Sequence, residues 1–151
     1  MATSVIPALI DALFAAASEA LTGIRVSDGQ GVTGDPGDYL MIGVDDPDNA
    51  SPSAATSAQR WAHVGHTTRD EEGDIHCLAL AWNGDTDAKA ARDAAFAIAA
   101  AVEDLLRDDP TLGVAGVWST GYGETTDFKQ GQTDTGAEAL VHFTVHFRAR
   151  L

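Results

Sequence analysis

At 151 residues the chain has the length of one ordinary domain, enough to bury roughly two-thirds of its unfolded surface without disulfide or metal staples. Its 23 acidic against 9 basic residues leave a formal charge of −14, which repels polyphosphate and anionic lipid and argues against a nucleic-acid reader. A lone cysteine, Cys77, excludes an internal disulfide framework and fits a reducing compartment.

The opening stretch MATSVIPALIDALFAAASEALTG has no basic leader and is interrupted by Asp11 and Glu19, so it reads as neither signal peptide nor membrane span. Ile6, Leu9, Ile10, Leu13, Phe14, Ala17 and Leu21 follow helical spacing instead, with Ser4 as N-cap, Pro7 in the first turn and Gly23 as the stop. A short strand over 24–29 enters a Gly-rich turn, and YLMIGV (39–44) predicts a strand buried on both faces. Residues 45–59, DDPDNASPSAATSAQ, hold no bulky apolar side chain and predict one long flexible loop. Residues 60–69 and 74–82 read as an antiparallel hairpin joined by the acidic turn DEEG. In its second strand Leu78, Leu80 and Trp82 point one way and Cys77, Ala79 and Ala81 the other, so both faces are expected to be covered.

A second helix is predicted from about Thr86 to Arg107, capped by Asp85 or Thr86 and stopped by Asp108, Asp109 and Pro110. Its apolar stripe is Ala91, Ala95, Ile98, Val102, Leu105 and Leu106. Segments 114–128 and 139–151 make a last strand pair across the polar turn 129–138. The expected architecture is α+β: a mostly antiparallel or mixed sheet with two helices on one face, in a single domain over 1–151.

Several motifs look chemical and fail on their own physics. Gly29, Gly31 and Gly34 have dinucleotide-loop spacing, but Asp35, Pro36, Gly37 and Asp38 follow where a helix N-terminus should receive the pyrophosphate. His142 and His146 lie roughly 13 Å apart on one strand, too far to share a metal, and adding His63, His66 or His76 from the hairpin would be a composite guess. Asp46, Asp48 and Asn49 lack the glycine and glutamate of a calcium loop. Ser119 lacks the first glycine of a nucleophile elbow. No cofactor, metal site or catalytic residue is expected.

The ordered features resemble the tail terminator proteins of long-tailed bacteriophages of actinobacteria. The residues that carry the resemblance are the IPALIDAL helix (Ile6 to Leu13), the turn at Asp28 and Gly29, the RDEEGDIHC segment (Arg69 to Cys77), LRDDPTLG (Leu106 to Gly113) and QGQTDTGAEA (Gln130 to Ala139). The resemblance implies a non-catalytic virion protein, assembled in the host cytoplasm and sitting at the head–tail junction. It forms a homo-hexameric ring that caps the tail tube protein, stops its polymerisation and offers a surface to a head-completion or neck protein. Genome DNA passes the lumen without specific binding, and no membrane is involved. The alternatives are another neck component, such as a head-closure or tail-completion protein, or a small acidic ligand-binding domain or enzyme with a pocket around Trp61, Trp82 and Trp118.

The last strand poses a specific question. Val141, Phe143, Val145, Phe147 and Leu151 alternate with His142, Thr144, His146, Arg148 and Arg150, a basic stripe on an acidic chain. With the apolar side against the helices, the stripe faces outward, either as a solvated strand face or to meet an acidic neighbour. The expected interface residues are those five together with Asp45, Asp46, Asp48, Asn49, Ser51 and Ser53 of the long loop.

Overall fold

A computed structural model describes residues 2–31, 35–65 and 67–151. In chain order the elements are α1 (Ile6–Ala20), β1 (Arg25–Asp28), β2 (Tyr39–Ile42), β3 (Ala55–Trp61), β4 (Arg69–Asn83), α2 (Ala88–Asp108), β5 (Val117–Thr133) and β6 (Gly136–Arg150). They form the expected α+β arrangement, a mixed six-stranded sheet in the order β1-β2-β4-β6-β5 with β3 also on β4. All pairings are antiparallel except β1 with β2.

Both helices lie on one face, each because a stripe of its sequence is apolar at helical spacing. Leu9, Leu13 and Ala17 of α1 and Ala91, Ala95, Ile98, Ala99, Val102 and Leu106 of α2 are buried. They meet Ile75, Cys77, Ala79, Val141, Phe143, Val145 and Phe147 from the sheet, all 0 % exposed. Each fully buried Leu or Phe contributes about 1.5–3 kcal/mol of transfer free energy. The alanines of α2 let its backbone settle close to the strands.

Both helix starts differ from expectation. The N-cap of α2 is Asp87, whose side chain accepts from the Ala90 N–H at 3.1 Å, while Thr86 sits at φ 63 and leads into the cap. α1 begins after Val5, and its orphan N–H groups are satisfied partly by Ser4 and partly by a carboxylate from β4. Glu71 accepts from the Val5 N–H at 2.9 Å and from the Ser4 hydroxyl at 2.6 Å.

That contact overturns the DEEG turn. Residues 70–73 lie inside β4, a strand of 15 residues. Glu71 points to the helix face, and Gly73 gives β3 room, since a Cβ there would lie 2.8 Å from the Ser57 Cα. The β3–β4 turn is displaced to 62–68. The polar segment 129–138 is likewise mostly strand, with the tight turn at Thr133–Gly136.

β2 and β3 are two pieces of one line. β2 pairs with Cys77–Leu80 and β3 with Arg69–Ile75, both antiparallel and both on the β4 edge opposite β6. Only His76 separates them: it accepts from the Gly43 N–H at 2.7 Å and donates its own N–H to the Ala54 carbonyl at 2.9 Å. Gly43, at φ 85, supplies the left-handed bend with which the chain leaves the sheet. The predicted loop 45–59 therefore shortens, because 55–59 continue the strand, and residues 43–54 form an excursion whose ends touch. Among the described residues no helix is long and apolar enough to cross a membrane.

Candidate interface on the open face of the sheet

Directly opposed residues in an antiparallel pair share a face. The β4–β6 register sets Asp70 against Arg150, Glu72 against Arg148, Asp74 against His146, His76 against Thr144 and Leu78 against His142. All lie on the face away from the helices, because Ile75, Cys77, Val145 and Phe147 occupy the other. The open face thus has a charged end and an apolar end.

At the charged end, Arg150 donates to both carboxylate oxygens of Asp70, at 2.7 and 3.1 Å. This fork holds the Asp70 carboxyl below its ordinary value and the Arg150 guanidinium above its own. The guanidinium also lies 4.7 Å from the centre of the Trp118 ring. His146 sits 3.1 Å from Asp74 through Nδ1 and 3.1 Å from Glu72 through Nε2. Arg148 is exposed and stands opposite Glu72 in register. The β6 stripe therefore meets an acidic column within its own chain. Thr144 shares that face but is buried at 9 % exposure, its hydroxyl occupying the hollow left by Gly123 of β5.

In the middle, the His76 and His142 rings stack with centroids 5.3 Å apart, and Nδ1 of the first lies 3.2 Å from Nε2 of the second. Burial pushes the His142 imidazole below its ordinary value and the neighbouring His76 adds to this, against the pull of Asp45 and Asp127.

At the apolar end, Met41, Val44 and Leu78 form a second small core with Leu140 packed against it. The excursion folds over this patch and leaves a cavity of about 280 Å³. Met41, Leu78, Leu80 and Leu140 line its floor, and its rim holds Asp45, Asp46, Asp48, Asp127 and Glu138 against Lys129 and His142. Gln30 reaches across from the β1–β2 loop to donate to the Pro47 carbonyl. The excursion braces itself: Asp45 accepts from the Ser53 N–H at 2.8 Å, Asp46 from Asp48 N–H at 2.9 Å, and Asn49 from Ser51 N–H at 3.0 Å.

The two groups of predicted interface residues thus come from different places. His142 joins Asp45, Asp46 and Asp48 at the cavity, while His146, Arg148 and Arg150 lie along the strand toward its charged end. Sequence reading missed Asp70, Glu72 and Asp74 as members of this face, although their alternation with Glu71, Gly73 and Ile75 is a strand period. It also missed Asp127, Lys129 and Glu138, which only the β5–β6 register brings to the cavity.

The chemical motifs stay apart. Among the described residues no three His, Cys, Asp or Glu side chains converge as metal ligands. Gly34 and His66 lie outside the described residues. Trp61 pairs with Arg69 at the start of β4 and Trp82 lies near its end, so the three tryptophans do not share the pocket considered for a ligand-binding domain.

The class of protein defined so far is a two-layer α+β fold with one helix-covered face and one face bearing an ionic ladder and an acid-rimmed cavity. No family model matches the chain, and no curated protein matches it. Among solved structures, the fold is similar to a chain from the virion of a native gene transfer agent particle, with a TM-score of 0.58 at 14 % identity. The correspondence covers 99 % of this chain and 100 % of that one.

Proposed function

We propose that the chain is a virion structural protein that works by binding, and that its role is that of a tail terminator. It assembles as a homo-hexameric ring at the head–tail junction, caps the tail tube protein at its set length and presents a surface to a neck protein. The observation that carries this reading is the correspondence of fold with a chain of a gene transfer agent virion, which runs over 99 % of this chain and 100 % of that one. The ordered sequence features shared with tail terminators narrow it from virion protein to that role. Two physical features support it. The open face and the excursion offer unlike surfaces, as a closed ring of heterologous contacts requires. A charge of −14 per subunit supplies carboxylates for a lumen through which DNA slides without sticking.

The test is sedimentation and negative-stain imaging of the purified protein, with tail-length measurement in particles assembled without it. Rings of six, and tails of unregulated length in their absence, are expected. A protein absent from purified virions overturns the reading, and normal tail length with heads that fail to join assigns it to head closure instead.

A further inference from the structure

The cavity under the excursion and the tip of the β3–β4 hairpin have opposite character. The tip is apolar and exposed: Trp61 is 68 % exposed and Val64 fully so, with Arg69 stacked 5.9 Å from the Trp61 ring centre. Residues 60–69 carry two arginines and two histidines and no carboxylate, in a chain with 23 acids. An exposed tryptophan beside arginine is the composition of an interface anchor. The cavity inverts it, with a floor of Met41, Leu78 and Leu140 under five rim carboxylates opposed by one lysine. At about 280 Å³ it is below the ~300–1,000 Å³ of small-molecule sites and has room for one large side chain.

We infer that the β3–β4 tip of one copy of this chain docks in the acid-rimmed cavity of a second copy, with Trp61 entering to the apolar floor, Val64 at the mouth beside Asp48, and Arg60 and Arg69 against the rim. The inference rests on the ring reading and specifies which surfaces meet. A second copy is the fitting occupant because the chain carries both complementary halves, whereas a different partner would account for only one. A subunit cannot satisfy itself: the tip lies at Arg69 of β4 and the cavity floor at Leu78, nine residues or about 30 Å along one strand. The two surfaces are distinct, so the contact is heterologous and propagates head to tail until the rotation closes.

Cysteine trapping tests this on the full-length protein. Cys77 is fully buried and its thiol is pushed up to about 12 by that burial, so it stays silent in the folded state. Val64→Cys at the tip and Asp48→Cys at the rim replace exposed side chains, and circular dichroism checks that the fold is kept. The double variant under mild oxidation is expected to give a ladder of covalent multimers on non-reducing gels, while each single variant gives dimers at most. Val64→Asp should lose the oligomer in sedimentation without changing the melt, and rising salt should weaken the wild-type oligomer. An oligomer that forms no ladder and tolerates Val64→Asp overturns the docking and leaves the ring reading standing. So does a tip cysteine that links to a different virion protein in assembled particles. A wild-type chain that stays monomeric at its highest soluble concentration, and in particles, overturns both.

Discussion

Removing the Glu71 carboxylate should expose how much of the fold hangs on one tertiary cap. The side chain is 1 % exposed and takes four donors: Ser4, Ser57 and Gln59 side chains on Oε1 at 2.6, 2.8 and 3.3 Å, and the Val5 N–H on Oε2 at 2.9 Å. In Glu71→Gln the size is kept, but the amide has one accepting oxygen for two clusters of donors. With that oxygen on the Val5 N–H, the two hydroxyls can rotate to accept from the new NH2, and Gln59 is left facing a donor. Charge-assisted hydrogen bonds contribute about 1.5–3 kcal/mol and neutral ones about 0.5–1.5. The expected loss is therefore roughly 1–3 kcal/mol, or about 2–12 °C in Tm for a chain of this size. Glu71→Ala orphans the buried Val5 N–H as well and should cost roughly 3–5 kcal/mol.

The pH dependence carries its own sign. Burial alone would raise the Glu71 pKa, but the bonds from Ser4, Val5, Ser57 and Gln59 outweigh it and hold the carboxyl below its ordinary value of 4.5. A carboxyl with a depressed folded pKa contributes stability that is present above the unfolded value and lost as pH falls through the folded one. Wild-type stability should thus fall below pH 4.5 more steeply than that of Glu71→Gln. Thermal melts of both proteins from neutral pH downward make the comparison. Equal Tm at pH 7 together with parallel acid limbs would refute the cap as a source of stability.

Three further outcomes follow from the packing. Leu13→Asp, which places a charge in a site of 0 % exposure between helix and sheet, should abolish folding, and a soluble variant with wild-type circular dichroism and melting would show that α1 is not part of the core. Gly73→Ala should cost about 1–3 kcal/mol by driving a methyl group into the β3 backbone, with hydrogen exchange accelerated across 55–61; unchanged exchange there would mean that β3 is not held against β4 at this point. Arg150→Gln should return the Asp70 carboxyl upward toward its ordinary 3.8, read by NMR titration, and an unmoved midpoint would show that the fork is not formed in solution.

Local pattern by itself determined the two helices, because the spacing of Leu9, Leu13 and Ala17, and of Ala91, Ala95, Ile98 and Val102, is written within a few turns of chain. It also determined which side of β6 is core, since Val141, Phe143, Val145 and Phe147 alternate without a break. The tertiary structure decided the rest. DEEG looked like a turn because four polar residues ending in glycine satisfy local turn chemistry. Each of the four instead answers to something distant: Asp70 to Arg150, Glu71 to the start of α1, Glu72 to His146, and Gly73 to the β3 backbone. Those partners lie up to 80 residues away, and propensity carries no information over such separations. The same holds for the excursion. No stretch such as 45–59, without a bulky apolar side chain, states where a strand resumes within it or that β2 and β3 continue one line, because that depends on a third segment, β4, offering one edge to both.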